Sequence, residues 1–370
     1  MDTNKETAIK TEDHPLADSS TPKTEGNTYP GIDALRTFAC IAIVFFHVYA
    51  LSGVKFNDFS ERLLTSFNWL VYMFMMISGF GMCCGYYEKC KSNRIDYNKF
   101  YLKRYAKILP FFAILILADV LVERSWQSLA EAFAELTLIF GYLPNNNLSV
   151  IGVSWTIGVI FLFYIAFPFF VFLLWNKKRA WFCFAVSVVL QVLCVLYFMT
   201  DRFVIEGFTL RHSFLFCIPF FIAGGVIYLY KDALQKMCSK MWIKVLLAAV
   251  CLAATALYRL IPLKINGFSL NEIYTLILYS LWIIFAIAVP NRVFINKVTK
   301  YISGISMEIY LSHLAIFRVV EKTGIFSGAG GVITYLAMVA SVLVLSVIFV
   351  SVYKFAYKFV KNKLPKSRRS

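Results

Sequence analysis

Apolar residues along this chain are grouped into runs of about 20, and short polar or charged segments separate the runs. A helix of this length can cross the hydrocarbon core of a bilayer, and a backbone in lipid has to satisfy its own hydrogen bonds. The pattern therefore predicts an all-α polytopic membrane protein with about ten transmembrane helices. The predicted helices cover residues 33–53, 67–87, 107–123, 155–175, 180–199, 213–230, 242–260, 273–290, 303–320 and 331–354.

One further segment, 129–143, is apolar enough to form a short helix. If it crossed the membrane, the charge bias of all later loops would be reversed. We therefore predict an interfacial or re-entrant helix on the outer side, followed by a turn at the Pro-Asn-Asn-Asn sequence of residues 144–147.

The net charge of +16 matters mainly through its distribution. Most Lys and Arg residues lie in every second segment between the predicted helices, and the positive-inside rule then places both termini in the cytoplasm. The charge therefore indicates membrane topology, and we expect no nucleic-acid partner. We predict that residues 1–30 form a disordered cytoplasmic tail, that residues 31–355 form a transmembrane domain, and that residues 356–370 form a basic cytoplasmic tail.

The nine cysteines are scattered, and several lie within the apolar runs. Their spacing relative to one another and to histidines is not typical of a zinc site. We expect buried structural thiols, no disulfide framework and no metal.

Arg36 and His47 are the strongest candidates for chemistry, because both interrupt the first apolar run. Eleven positions correspond to about three helical turns, so the two side chains are expected on one face, about 16 Å apart along the axis. An ionisable residue within a membrane span is costly and is therefore a functional candidate. An imidazole can take a proton from a hydroxyl, so we predict His47 as a catalytic residue. The alternative is a histidine that only holds helices together.

Two basic residues, Arg104 and Lys107, lie one turn apart near the start of the third predicted helix. Cations on one face at the membrane edge can bind phosphates, although they also fit ordinary positive-inside flanking. Ser78, in the second predicted helix, is a possible supporting residue. Gly81 and Gly85 have the spacing of a close helix–helix contact.

Four more residues are possible supporting residues of a site. Trp155 begins the fourth predicted helix and is also suited to an interfacial anchor. Asp119, near the outer end of the third helix, can contact sugar hydroxyls, pair with His47 or cap the helix. Glu308 and His313 share the ninth helix but are five positions apart, so they do not lie on one face. A buried carboxylate needs a partner, which the sequence does not identify for Glu308.

The order and spacing of these residues resemble the acyltransferase-3 family of bacterial membrane acyltransferases, which includes O-antigen and exopolysaccharide O-acetylases. The resemblance covers roughly residues 31–355. It consists of an Arg and a His separated by ten residues, a Ser-Gly-Phe step, two basic residues before a proline, a Trp segment and a late Tyr-Leu-x-His step. The matching residues are Arg36 and His47; Ser78 to Phe80; Arg104, Lys107 and Pro110; Trp155, Phe163, Tyr164 and Pro168; and Tyr310, Leu311 and His313.

Two positions depart from the family pattern. The second basic residue is Lys107 rather than arginine, which keeps the charge but loses the bidentate guanidinium. Many members have a glutamate after the Trp segment, whereas residues 157–160 here are Ile-Gly-Val-Ile. The role of that glutamate is unfilled at this position, so the subfamily and the substrate stay open.

The resemblance implies transfer of a short acyl group, in the first place acetyl, from acyl-CoA to a hydroxyl of a cell-surface polysaccharide or its lipid-linked precursor. It implies a bacterial plasma membrane as the location. Arg36, Arg104 and Lys107 would bind the donor, and His47 would act as general base or carry the acyl group covalently. No tightly bound cofactor is expected, and acetyl-CoA is a substrate rather than a cofactor.

Two alternatives remain at this stage. The first is a transporter or flippase of lipid-linked saccharides, in which His47, Glu308 and Asp119 form a proton relay. The second keeps the acyl transfer but has an amine or a lipid as acceptor, or succinyl-CoA as donor.

Overall fold

The computed structural model describes residues 29–143, 148, 150–206, 208–260, 264–265, 268–269, 271–289, 296–326 and 330–363. Within these ranges the regular structure is helical, apart from a two-residue antiparallel ladder between Lys264–Ile265 (β1) and Phe268–Ser269 (β2). The α-helices are α1 (Pro30–Ser52), α2 (Asp58–Ser66), α3 (Val71–Lys91), α4 (Tyr97–Glu123), α5 (Trp126–Leu136), α6 (Trp155–Leu173), α7 (Lys177–Leu193), α8 (Phe214–Met237), α9 (Met241–Leu260), α10 (Asn271–Ala288), α11 (Lys297–Lys322) and α12 (Val332–Lys363). Short 3-10 helices lie at Phe67–Leu70, Phe140–Tyr142 and Leu210–His212, and a π-helical turn lies at Cys194–Phe198.

Each of the ten predicted transmembrane segments coincides with a helix, so the predicted all-α polytopic fold is confirmed. In the described parts of the chain, nine helical stretches are long and apolar enough to cross a membrane. The remaining predicted span, α11, is more polar because it contains several serines together with Glu308 and His313. Most of these polar residues are buried, so α11 lies in the interior of the bundle.

The segment predicted as an interfacial or re-entrant helix contains α5 and the 3-10 turn that follows it. With 11 residues, α5 is too short to cross a bilayer. The predicted turn at 144–147 and most of the predicted N-terminal tail, residues 1–28, lie outside the described residues. At the other end, α12 continues to Lys363, so the first part of the predicted basic tail is helical.

Polar contacts join α1 to α11. Ser303 donates a hydrogen bond of 2.7 Å to Asp33, and further along the two helices His47 contacts His313 at 3.0 Å. Because these pairs follow one another in the same direction, the two helices run parallel. The first and ninth spans of an alternating bundle have to be parallel, so this contact agrees with a ten-span arrangement.

The last helix, α12, packs against α1 and α11 in the opposite direction. Near its start, Tyr335 donates to the carbonyl oxygen of Phe45 at 2.8 Å. Near its end, Lys354 forms an ion pair of 3.1 Å with Glu308. Lys354 is therefore the partner of Glu308 that the sequence did not identify.

Two glycines allow α3 and α8 to approach backbone to backbone. A Cβ atom at Gly79 would overlap the carbonyl oxygen of Phe221, and Gly224 faces the backbone of α3 in the same way. A backbone carbonyl cannot rotate aside, so both positions require glycine. The predicted close contact at Gly81 and Gly85 is wrong, because a Cβ at either would meet no atom within 4 Å.

Candidate active site

Two cavities adjoin inside the bundle, and Val71 and Tyr310 line both of them. We call them the His47 cavity and the Arg36 cavity, after the residue of α1 that lines each one. Their volumes are about 140 Å³ and about 110 Å³ respectively. The separation of Arg36 and His47 along one helix therefore places the cation and the imidazole in different but neighbouring cavities.

The His47 cavity is lined by polar side chains from distant parts of the chain. His47 comes from α1, and Asn68 comes from the 3-10 helix before α3. Thr209, Arg211 and His212 come from the segment that leads into α8. The cavity therefore offers a histidine, a cation and several hydrogen-bonding groups to one ligand.

His47 and His313 form a hydrogen-bonded pair. The Nδ1 atom of His313 lies 2.6 Å from the carbonyl oxygen of Tyr310, which can only accept, so this nitrogen carries the proton of a neutral ring. The Nε2 atom of His313 is then an acceptor, and Nδ1 of His47 donates to it at 3.0 Å and to the carbonyl oxygen of Ile43 at 3.2 Å. With tautomers assigned from this network, neutral His47 has its free lone pair on Nε2.

The Arg36 cavity is lined by two of the predicted donor-binding cations, Arg36 and Lys107, and by the predicted supporting residue Ser78. Among the described residues, no carboxylate lies within ion-pair distance of either cation. Glu308 also lines this cavity, but it is paired with Lys354. The cavity therefore has positive charge that the described protein groups do not neutralise, and it favours an anionic ligand.

Arg104, the third predicted donor-binding residue, lines neither cavity. Its guanidinium donates to the hydroxyl of Tyr86 at 3.0 Å and lies 5.5 Å from the ring centre of Tyr164. Tyr164 lines the Arg36 cavity. Arg104 therefore lies in the layer of side chains behind the wall of that cavity.

Trp155 begins α6 and lies inside the protein, with 7% of its surface exposed. Its ring stacks on His212 with the ring centres 4.4 Å apart, and the guanidinium carbon of Arg211 lies 5.5 Å from the ring centre. The ring also lines the His47 cavity. The interpretation of Trp155 as an interfacial anchor is therefore wrong, while a supporting role in the site stays a prediction.

A carboxyl group that the sequence analysis missed, Glu135 of α5, fixes the start of α6. Ser154, which directly precedes Trp155, donates to it at 2.5 Å. Burial raises the pKa of Glu135 to about 8, although hydrogen bonds from Ser154 and from the backbone of Ile151 oppose the shift. The carboxyl is therefore mostly protonated at neutral pH, and in this form it orients the segment that lines the His47 cavity.

Asp119 lies beside Arg318, 4.0 Å away, rather than beside His47. A proton relay would require His47, Glu308 and Asp119 to be linked. His47 is instead paired with His313, and Glu308 is paired on another face of α11. The hydrogen bonds and ion pairs of the described residues therefore do not connect the three groups.

Arg211, His212 and Glu135 could not be singled out from the sequence. Arg211 and His212 lie just before an apolar run, where charged residues are common. Only the folding of this segment over α6 places them next to His47. Glu135 carried a weak signal, since it is one of two carboxyl groups, with Glu131, in a largely apolar stretch.

The fold and the two cavities define a polytopic membrane protein with an internal site suited to an anionic ligand. Among the described residues, no cluster of His, Cys, Asp and Glu could hold a metal ion. Residues 29–351 match the acyltransferase-3 family model, whose description is "Acyltransferase domain", so the chain belongs to this family and is a multi-pass membrane acyltransferase. The resemblance found in the sequence is thereby confirmed. Comparison with curated proteins and with solved structures gives no match.

Proposed function

We propose that the protein transfers a short acyl group, in the first place acetyl, from acyl-CoA to a hydroxyl of a cell-surface polysaccharide or its lipid-linked precursor. The observation that carries the proposal is the contact between the two cavities at Val71 and Tyr310. One cavity presents two cations that form no ion pair with a carboxylate of the described residues, and the other presents the lone pair of His47. A donor and an acceptor can therefore meet at the boundary between them.

The donor occupies the Arg36 cavity in this proposal. CoA carries several phosphates, and Arg36 and Lys107 can form charge-assisted hydrogen bonds with them. Arg104 supports the same site from behind Tyr164. In this proposal this end of the bundle faces the cytoplasm, where acyl-CoA is made, and the distribution of basic residues supports that orientation. The membrane is the plasma membrane of a bacterium.

The acceptor hydroxyl occupies the His47 cavity. Nε2 of His47 takes the hydroxyl proton while the oxygen attacks the thioester carbonyl carbon; the C–S bond breaks, and the CoA sulfur leaves and takes up a proton. His313 accepts a hydrogen bond from Nδ1 of His47 throughout and so stabilises the imidazolium that forms. In a second route, Nε2 of His47 attacks the thioester carbonyl carbon, the C–S bond breaks and CoA leaves as the thiol. The acceptor hydroxyl then attacks the acyl-imidazole, the N–C bond breaks, and the hydroxyl proton returns to His47.

Acyl transfer from radiolabelled acetyl-CoA, in membranes that contain the native glycan, tests the proposal. We expect label in the glycan with the wild type and none with His47→Ala. Release of the label by alkaline hydroxylamine identifies an oxygen ester, whereas a stable label identifies an amine acceptor. Label that stays in the solvent extract after mild acid has released saccharides from their lipid carriers identifies a lipid acceptor. Equal labelling by His47→Ala would remove His47 from the mechanism.

Two further measurements identify the acyl group and distinguish the covalent route from general base catalysis. Competition by succinyl-CoA measures the choice of acyl group. Label that stays on His47 when acceptor is omitted supports the covalent route, and its absence supports general base catalysis. If no acyl-CoA stabilises the purified protein against heat and no label is transferred, the acyl-CoA proposal fails.

A further inference from the structure

Arg211 is a cation in the acceptor cavity that no described carboxylate neutralises. It lines the His47 cavity and not the Arg36 cavity. Glu272, at the start of α10, makes no ion pair with it, and neither does any other carboxylate of the described residues. Its Nε is buried without a hydrogen-bond acceptor among the described residues.

The position of Arg211 is fixed by contacts that leave its charge available. Its backbone carbonyl accepts a hydrogen bond of 3.2 Å from Cys217 in the first turn of α8. Its guanidinium carbon lies 5.5 Å from the ring centre of Trp155, an attraction that holds a cation without cancelling it. Arg211 is therefore held in place by the fold, while the described residues provide no anionic partner for it.

Within the 3-10 helix Leu210–His212, Arg211 is the one side chain that is charged at neutral pH. Burial and the charge of Arg211 lower the pKa of the adjacent His212 to about 3, so His212 is neutral. A buried guanidinium nitrogen without an acceptor, such as Nε of half-buried Arg211, is unfavourable, and a ligand that supplies an anionic oxygen removes this penalty.

We propose that the His47 cavity binds an acidic saccharide, whose carboxylate or phosphate pairs with Arg211 while its hydroxyl reaches His47. Asn68 and Thr209 line the same cavity and provide hydrogen bonds for the other sugar hydroxyls. This inference rests on the proposed transfer to a saccharide hydroxyl and adds the chemical class of the acceptor.

The location of Arg211 favours an acceptor over a donor as the source of the anion. In the proposed reaction, the thioester and the CoA phosphates lie in the Arg36 cavity, which Arg211 does not line. The anion that pairs with Arg211 therefore has to enter the His47 cavity as part of the acceptor, which also carries the hydroxyl that is acylated. A carboxylate and a phosphate make the same contact with a guanidinium, so both sources are tested.

The test uses matched acceptors and the full-length protein in detergent. One pair is a glucuronate-containing oligosaccharide and its carboxyl-reduced counterpart, and the other is a phosphorylated oligosaccharide and its dephosphorylated counterpart. We expect the wild type to prefer an acidic acceptor by about 10- to 100-fold in kcat/KM. Arg211→Gln should abolish the preference by lowering kcat/KM for the acidic acceptor far more than for the neutral one, and Arg211→Lys should retain part of it.

Arg202→Gln is the matched control. Arg202 is an exposed arginine of the same inter-helix segment, and its guanidinium carbon also lies near an aromatic ring, 5.2 Å from the centre of Phe203. It does not line the His47 cavity. We expect Arg202→Gln to keep the full preference for the acidic acceptor.

Several results would overturn the inference. Equal use of acidic and neutral acceptors by the wild type would leave the proposed function standing and refute the acidic acceptor. The acidic acceptor would also be refuted if Arg211→Gln lost transfer to acidic and to neutral acceptors equally and melted at a lower temperature. Arg211 would then have a structural role only. Binding of the acidic and neutral oligosaccharides is measured separately, by calorimetry with the His47→Ala variant. Acidic binding that depends on Arg211, without transfer by the wild type, would support the ligand class and count against the proposed function.

Discussion

His47 and His313 are joined by a hydrogen bond of 3.0 Å that connects the first helix of the bundle to α11. The bond directs the proton of His47 to Nδ1, since His313 itself donates to the carbonyl oxygen of Tyr310. The free lone pair of His47 is thereby fixed on Nε2. A base whose orientation is set by a second group is a recurrent arrangement in acyl transfer, and in the proposed mechanism His313 is the positioning residue.

Replacing His313 by glutamine removes the ring that accepts from His47. We expect kcat to fall by about 10- to 100-fold, with the KM for acyl-CoA unchanged because the donor contacts are intact. Steady-state acyl transfer measures both quantities. In a His47→Ala background, His313→Gln should have no further effect, because the two residues act as a unit. Independent losses from the two substitutions would contradict the pairing.

Replacing Arg36 or Lys107 by glutamine should weaken acyl-CoA binding by about tenfold or more, because each loses a charge-assisted hydrogen bond to the anionic donor. The effect should appear in KM and in the thermal shift caused by acetyl-CoA, and kcat should change less. Arg104→Gln should have a smaller effect, since Arg104 lies behind Tyr164.

Lys99→Gln is the control for these donor variants. Lys99 belongs to the same helix as Lys107, but its side chain is 78% exposed and is paired with Asp96. It should bind acetyl-CoA as the wild type does. A comparable loss in Lys99→Gln would mean that overall surface charge, rather than the Arg36 cavity, attracts the donor.

Removing Lys354 should leave Glu308 without its ion-pair partner beside the donor. We expect Lys354→Met to reduce the free energy of unfolding by about 1–2 kcal/mol, less than for a fully buried pair because the Lys354 side chain is 40% exposed. It should also raise the KM for acyl-CoA, since an unpaired carboxylate repels the donor. Adding Glu308→Gln should restore most of both losses, and a double variant no better than the single one would contradict this explanation.

Glu135 should make the stability of the protein depend on pH. Its pKa in the folded state, about 8, is higher than the ordinary value of 4.5, so the native state holds the proton more tightly than the unfolded state. Its contribution is complete below about pH 4.5, decreases by about 1.4 kcal/mol per unit as the pH rises, and is lost above about pH 8. The melting temperature should therefore fall between pH 6 and 8.

Glu135→Gln keeps a neutral hydrogen-bonding side chain beside Ser154 and should flatten this part of the pH profile. Thermal unfolding of both proteins in detergent, at a series of pH values, measures the difference. An identical slope in the variant would show that another group causes the pH dependence.

A methyl group at Gly79 should disturb the contact between α3 and α8. We expect Gly79→Ala to lower stability by about 1–3 kcal/mol, because the carbonyl of Phe221 belongs to the backbone and cannot move aside. Gly81→Ala is a matched control in the same helix, with open space around the added atom. It should be neutral or slightly stabilising, and equal destabilisation by both would refute the packing argument.

Most of the membrane helices could be predicted from the sequence because long hydrophobic runs indicate segments that can cross a bilayer. Arg36 and His47 could be singled out as candidates in the same way, since ionisable residues are rare in such runs. The buried position of Trp155 could not be predicted, because an aromatic residue at a helix end suits both the membrane interface and the protein interior. Its burial depends on the loop before α8, which covers it.

The partners of the polar residues could not be predicted, since each comes from a distant helix. Glu308 needed a cation, but nothing in the local sequence distinguishes Lys354 from the other basic residues near the ends of helices. The pairing of His313 with His47 depends on α1 and α11 being parallel neighbours. A single sequence without known helix contacts does not specify that arrangement.

The distance in sequence between His47 and His313 also has a consequence for biosynthesis. The two residues are 266 positions apart, so at ordinary rates of translation roughly 13–53 s pass between their syntheses. During that interval α1 has to enter the bilayer with Arg36 and His47 lacking the neighbours that later surround them. The newborn first helix therefore depends on temporary partners such as water, lipid headgroups or the insertion machinery until α11 arrives.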